Sequence, residues 1–214
     1  MNRFFLLLLI FSGLSLTIFG QTQPKLVSGE YGEFIIGVDP DGDLTGYYES
    51  STGAGKFNCI FYLRGKLNGD FARITTWFPD EKETINGTLK PIIKDGQTGF
   101  NIKLDAEPGG CWNVNPNLDD DQGYIEFLGQ AGTWSAVRVV SAERAYFYIN
   151  PKARAPQKIY VVKGNAVQVY KQEKGWVEVV YYGKCLNNDC SKRQITRGWL
   201  REKDLFSNEI PLTK

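Results

Sequence analysis

From about residue 30 onward, apolar residues recur at every second position in short runs broken by Gly, Asn and Asp. That period belongs to strands with one buried face. Phe57, Cys59, Phe61 and Leu63 alternate with Asn58, Ile60, Tyr62 and Arg64, so they share one face of a strand over 57–64. The same reading predicts strands over 31–38, 43–49, 70–77, 87–93, 100–104, 124–128 and 134–140. Asp39-Pro40-Asp41-Gly42 separates the first two, and Asp-Gly between strand-like runs signals a hairpin. Further turns fall at Asp95-Gly96, at Pro108-Gly109-Gly110 and over 119–123. No segment after residue 20 carries a long apolar stripe of helical period. The expectation is an all-β protein, its N-terminal unit (21–138) an antiparallel β-sandwich or a small β-barrel. A barrel closed round a cavity would open ligand storage as a role.

A second unit is predicted over 139–207, followed by a tail at 208–214. It reads Ala142 to Pro151, then Tyr160 to Asn165, then Val167-Gln168-Val169. Gly175-Trp176-Val177-Glu178-Val179 and Gly198-Trp199-Leu200 come next, closing on Asp204-Leu205. Five short strands in so few residues are the scale of a small barrel. The order of these pieces resembles the bacterial SH3-like (SH3b) family: a first strand ending near a Pro, a long loop, an aromatic-hydrophobic-Lys-Gly-Asn turn, a Val-x-Val strand, a Gly-Trp-Val-x-Val strand and a closing Gly-Trp-Leu. The resemblance implies a C-terminal SH3-like barrel. One departure is an enlarged last hairpin, 182–196, which carries Cys185 and Cys190. The resemblance does not extend to the N-terminal unit.

The first segment reads as an address. Met1-Asn2-Arg3 precedes Phe4 to Phe11, an apolar run too short for a membrane span, and the hydrophobic stretch ends near Gly20. Residues 1–20 are therefore expected to be a cleaved secretory signal peptide, the mature chain being periplasmic or secreted and not membrane-spanning. Cys59 is the first cysteine, so the start of the mature chain offers none for a lipid anchor. Export makes the four cysteines readable as disulfides. Cys185 and Cys190 suit a small closed loop, which leaves Cys59 and Cys111 for each other, one of three connectivities.

Candidate chemistry is sparse. The chain has no His, which removes Ser-His-Asp and Cys-His catalysis and any His-bearing zinc site. Asp39, Asp41 and Asp43 have the alternate spacing of calcium ligands, but Ser50 stands where an EF-hand loop needs Glu. A polar turn is the simpler reading, as it is for Asp119-Asp120-Asp121. Asn86-Gly87-Thr88 matches a glycosylation sequon with no weight in a bacterial setting. No carboxylate pair falls in a motif that singles it out for hydrolysis. A non-catalytic protein without metal or cofactor is expected.

Aromatics remain. The SH3b resemblance implies an aromatic-lined groove for a peptide or a cell-wall peptide. The candidates are Trp176, Tyr146, Tyr148, Tyr182 and Trp199. Val177 and Val179 share a face, so Trp176 and Glu178 point the other way. Tyr146 and Tyr148 share a face and should line the groove together or pack together. Trp199, between Gly198 and Leu200, either lines the groove or joins the core. Two functions follow: a non-catalytic envelope protein binding peptidoglycan, an extended peptide or an envelope protein, and not nucleic acid; or an inhibitor or immunity-type protein that blocks a wall-degrading enzyme.

The charge count sharpens this. The whole chain carries 25 Lys+Arg and 24 Asp+Glu, net +1. Residues 21–138 hold 10 bases against 17 acids, net −7, and residues 139–214 hold 14 against 7, net +7. Such asymmetry implies either mutual docking of the halves or steering of the basic half to an anionic surface, wall polymer or membrane headgroups.

Overall fold

The computed structural model describes residues 24–78, 81, 83–183 and 193–207. Strands dominate, and there is no α-helix among the described residues. Eight antiparallel strands form a closed barrel: β1 Gly29–Tyr31, β2 Phe34–Val38, β3 Asp43–Thr52, β4 Phe57–Asn68, β5 Phe71–Trp77, β6 Thr84–Lys94, β7 Gln97–Leu104 and β8 Tyr124–Ala131. Each strand pairs with its sequence neighbour, and β1 pairs with β8 to close the ring. Closure abolishes free strand edges. Of the two architectures expected, the sandwich is excluded.

The barrel's strands differ from the sequence pattern at both ends. The run 31–38 is a hairpin rather than one strand. Gly32, at φ 53°, turns the chain between β1 and β2. The run expected over 134–140 leaves the barrel: its strand β9, Ala136–Val139, pairs with a later strand instead. That pairing runs across the unit boundary expected between 138 and 139. Phe57 sits at the outer end of β4 and is 46% exposed, while Cys59, Phe61 and Leu63 are buried as the alternation requires.

Aromatic rings pack on one another in the lumen. Phe34 stands at its centre, 4.4 Å from Tyr48, 5.2 Å from Phe100 and 6.0 Å from Phe61 by ring centroids. Tyr31 packs on Phe100 at 5.0 Å. Tilted and edge-on contacts suit the ring quadrupoles. Each of these rings contributes about 1.5–3 kcal/mol of burial.

The connection from β7 to β8 caps one end. Leu118 and Cys111 are fully buried within the barrel core. Cys59 and Cys111 form a disulfide across 52 residues. The Leu104 amide donates to the Leu118 carbonyl (2.8 Å) and the Thr52 hydroxyl to the Asn113 carbonyl (2.9 Å). A disulfide accords with an oxidising compartment. Cys185 and Cys190, the signal segment 1–20 and the tail 208–214 lie outside the described residues.

The C-terminal unit comprises β9, β10 Arg144–Tyr146, β11 Tyr160–Val162, β12 Ala166–Glu173, β13 Trp176–Tyr182 and β14 Ile195–Arg201, then a 3-10 turn Glu202–Asp204. Four of these form an antiparallel sheet in the order β14-β13-β12-β9, and β10 and β11 form a separate ribbon. Bridges Val140–Leu205 and Tyr148–Trp199 tie the ends together. Val140, Phe147, Val167, Val169, Val177, Val179, Leu200 and Leu205 make its core.

The two units are packed on each other. Tyr47, Tyr62 and Trp77 lie directly opposite one another on β3, β4 and β5 and form an aromatic row on the outer barrel wall. The Tyr62 hydroxyl donates to the Gly164 carbonyl at 2.7 Å. The Trp134 indole donates to the Ile36 carbonyl (2.7 Å) and the Val137 amide to the Thr45 hydroxyl (2.8 Å). Gly37 meets β9 so closely that an added Cβ would lie 2.6 Å from the Ala136 Cα. An ion pair, Arg193 with Glu30 at 3.2 Å, also spans the junction. No helix of the described residues is long and apolar enough to cross a membrane.

Candidate functional site

The five aromatic candidates do not form one surface. Trp176 opens β13 because Gly175, at φ 74°, turns the chain out of β12. Val177 and Val179 are fully buried, and Trp176 and Glu178 on the opposite face are half-buried. Register places Trp176 beside Arg201 of β14. Tyr148 stands edge-on to Trp176, ring centroids 4.8 Å apart at 77°. The Arg201 guanidinium covers both rings, 5.1 Å from Tyr148 and 5.9 Å from Trp176, and donates to the Tyr148 hydroxyl at 2.5 Å. This is a cation–π arrangement held by a charge-assisted hydrogen bond.

A cleft of about 830 Å³ lies beside that cluster, lined by Arg138, Trp176, Arg201, Glu202, Lys203 and Leu205 among others. Arg138 is buried and donates from Nη2 to the Phe206 carbonyl at 2.6 Å, which ties β9 to the chain leaving the 3-10 turn. Burial pushes its pKa down, opposed by nearby Glu202. Gln172 donates to the Glu202 carboxylate at 2.9 Å, so the one acidic wall residue is already engaged. Arg201, Lys203 and the buried Arg138 make the cleft's lining predominantly cationic beside the Trp176 indole.

The other candidates lie elsewhere. Tyr146 and Tyr148 were expected to share a fate; the structure separates them. β10 ends at Tyr146, and beyond it Phe147 and Tyr148 are both buried. The Tyr148 backbone bridges Trp199, with N–O distances of 2.8 and 2.9 Å. Tyr146 remains on the ribbon, 5.4 Å from Tyr160. Trp199 is 9% exposed, under the Lys171 ammonium at 5.6 Å. Tyr182 lies under Arg193, 4.2 Å away, and therefore at the junction with the barrel. Arg201, Arg138 and Lys203 escaped the sequence reading. Pairing register alone places Arg201 against Trp176, and register is set by the tertiary fold.

A second cleft, about 510 Å³, opens at the capped end of the barrel. Inward positions Phe61, Thr76 and Ile85 form its floor, with Trp77, Phe78, Glu81, Glu83 and Glu107 around them. Nearby, Trp112 is 64% exposed on the cap, next to the disulfide that anchors it.

The acidic turns are self-contained. Asp39 Oδ1 accepts from the amides of Asp41 (2.9 Å) and Asp43 (2.8 Å), and Lys66 pairs with Asp43 at 2.9 Å. Asp120 accepts from the Gln122 amide (2.8 Å), and Lys103 pairs with Asp121 at 2.8 Å, which holds the Asp121 carboxyl below its usual range. These are Asx-type turns, the ordinary use of Asp at such positions. No family model matches the chain, and no curated protein or solved structure matches it either.

Proposed function

We propose that this chain is an exported, non-catalytic binding protein of the bacterial envelope. Its C-terminal unit is read as an SH3-like module that grips an extended peptide, either a peptidoglycan stem peptide or a protein segment. The strand order supports the module: one strand, an excursion carrying a short ribbon, three meandering strands, then a 3-10 turn returning to the first strand. The observation that carries the function is the Tyr148–Trp176 pair under Arg201 beside a basic cleft. The Trp176 face, backed by Tyr148, suits an extended backbone, and Arg201 with Lys203 suits a carboxylate on it.

Purified sacculi provide the test. The full chain should sediment with them, and Trp176→Ala should weaken retention about tenfold while leaving the melting temperature within a few degrees, as for other aromatic anchors. Unchanged retention by that folded variant would remove the groove from the binding site. A second reading, an inhibitor of a wall-degrading enzyme, is favoured by Trp112 standing exposed on the stapled cap. It predicts a soluble complex with the enzyme and loss of lytic activity, both abolished by Trp112→Ala, with no sedimentation on sacculi.

A further inference from the structure

Among the described residues, the C-terminal unit exposes five large apolar side chains, and four of them belong to one excursion: Ile149 (72%), Ile159 (42%), Tyr160 (41%) and Val162 (43%). The pairing of β10 with β11 explains part of this. Arg144 faces Val162 and Tyr146 faces Tyr160, while Ala145 and Val161 between them point into the core. Directly opposed residues share a face. The outer face of the ribbon is therefore Arg144, Tyr146, Tyr160 and Val162, with the Arg144 guanidinium 4.9 Å over the Tyr160 ring. The loop joining the strands is held in place by the Phe147 amide on the Ile159 carbonyl (3.1 Å) and the Gln157 amide on the Phe147 carbonyl (2.7 Å). It adds the exposed cations Lys152, Arg154 and Lys158. Over 143–163 the only acid is Glu143, against five bases. No carboxylate of the described residues pairs with Arg144, Lys152, Arg154 or Lys158.

We propose that this ribbon and its loop form a peripheral docking surface for an anionic lipid bilayer. Branched aliphatics and tyrosines beside cations that no carboxylate of the described residues engages match the boundary between acyl chains and acidic headgroups. A phosphate-rich wall polymer would answer the cations but leave Ile149, Ile159 and Val162 in water. The surface shares no residue with the Trp176 groove, so the protein can hold a bilayer and a peptide together.

The test is sedimentation of the full chain with vesicles of phosphatidylglycerol and phosphatidylcholine in equal parts, with phosphatidylcholine alone, and with soluble polyphosphate as a lipid-free polyanion. Binding to the anionic vesicles, and neither to neutral ones nor comparably to polyphosphate, is expected. Ile159→Asp and the double reversal Arg144→Glu with Lys158→Glu should each weaken it about tenfold or more. Trp176→Ala should leave it unchanged. The two ribbon variants alter exposed side chains by different chemistry, so loss in one through misfolding leaves the other to decide. Equal binding to both vesicles, binding to neither, tight binding to polyphosphate unaffected by Ile159→Asp, or wild-type binding by both variants would each overturn the proposal.

Discussion

At the scale of single residues, tyrosines do two kinds of work. Burial raises the pKa of Tyr31, Tyr47, Tyr48, Tyr62, Tyr124 and Tyr170 above the usual value of 10.0. For Tyr47 and Tyr124 a hydrogen bond given to a carboxylate, Glu49 or Glu126, adds to the effect. A phenol raised in the folded state holds its proton where the unfolded chain has lost it. Its stabilisation is whole below the unfolded pKa and is lost as pH climbs through the folded one. The melting temperature should be level up to about pH 9 and fall by about pH 11, less steeply in Tyr62→Phe. A scan of melting temperature against pH checks this. Phe34, Tyr48, Phe61 and Phe100 were visible as apolar positions. The row of Tyr47, Tyr62 and Trp77 was not, because only register across three strands brings it together.

At the scale of elements, the cap is the part of the barrel least supported by ladder hydrogen bonds. It is held by Leu118, by Asn115 donating to the Tyr48 hydroxyl at 3.3 Å, and by the disulfide. Closing a loop of this length is worth about 4 kcal/mol on the chain-entropy model. Cys59→Ala with Cys111→Ala should lower stability by up to that amount. Limited proteolysis should then cut first within 105–123, since cleavage follows local opening. Of the three connectivities, the cysteine spacing favoured Cys59 with Cys111, and strand alternation placed Cys59 inward. Folding of the β7–β8 connection back over the barrel end brings Cys111 to it.

At the scale of the molecule, the opposite net charges of the halves are not what chiefly joins them. The junction combines the Tyr62–Gly164, Trp134–Ile36 and Val137–Thr45 hydrogen bonds with an aromatic row and a close backbone approach at Gly37. Buried contacts of this kind are screened little by salt. Unfolding should be a single transition at low and at high ionic strength. Gly37→Ala should cost about 1–3 kcal/mol through overpacking against Ala136 and split the transition in two. Calorimetry distinguishes these outcomes. The charge of each half is then free to act outward, as the basic ribbon does.

Alternation, turn residues and charge are local properties, and by themselves they determined the all-β class, the inward face of β4, the hairpin at 39–42 and the acidic and basic halves. Closure of the barrel, the split at Gly32, the passage of β9 to the second sheet, the parting of Tyr146 from Tyr148 and the meeting of Trp176 with Arg201 were decided by the tertiary structure. Each depends on which strand pairs with which and in what register. That choice is made by packing between segments far apart in the chain, where no local pattern reaches.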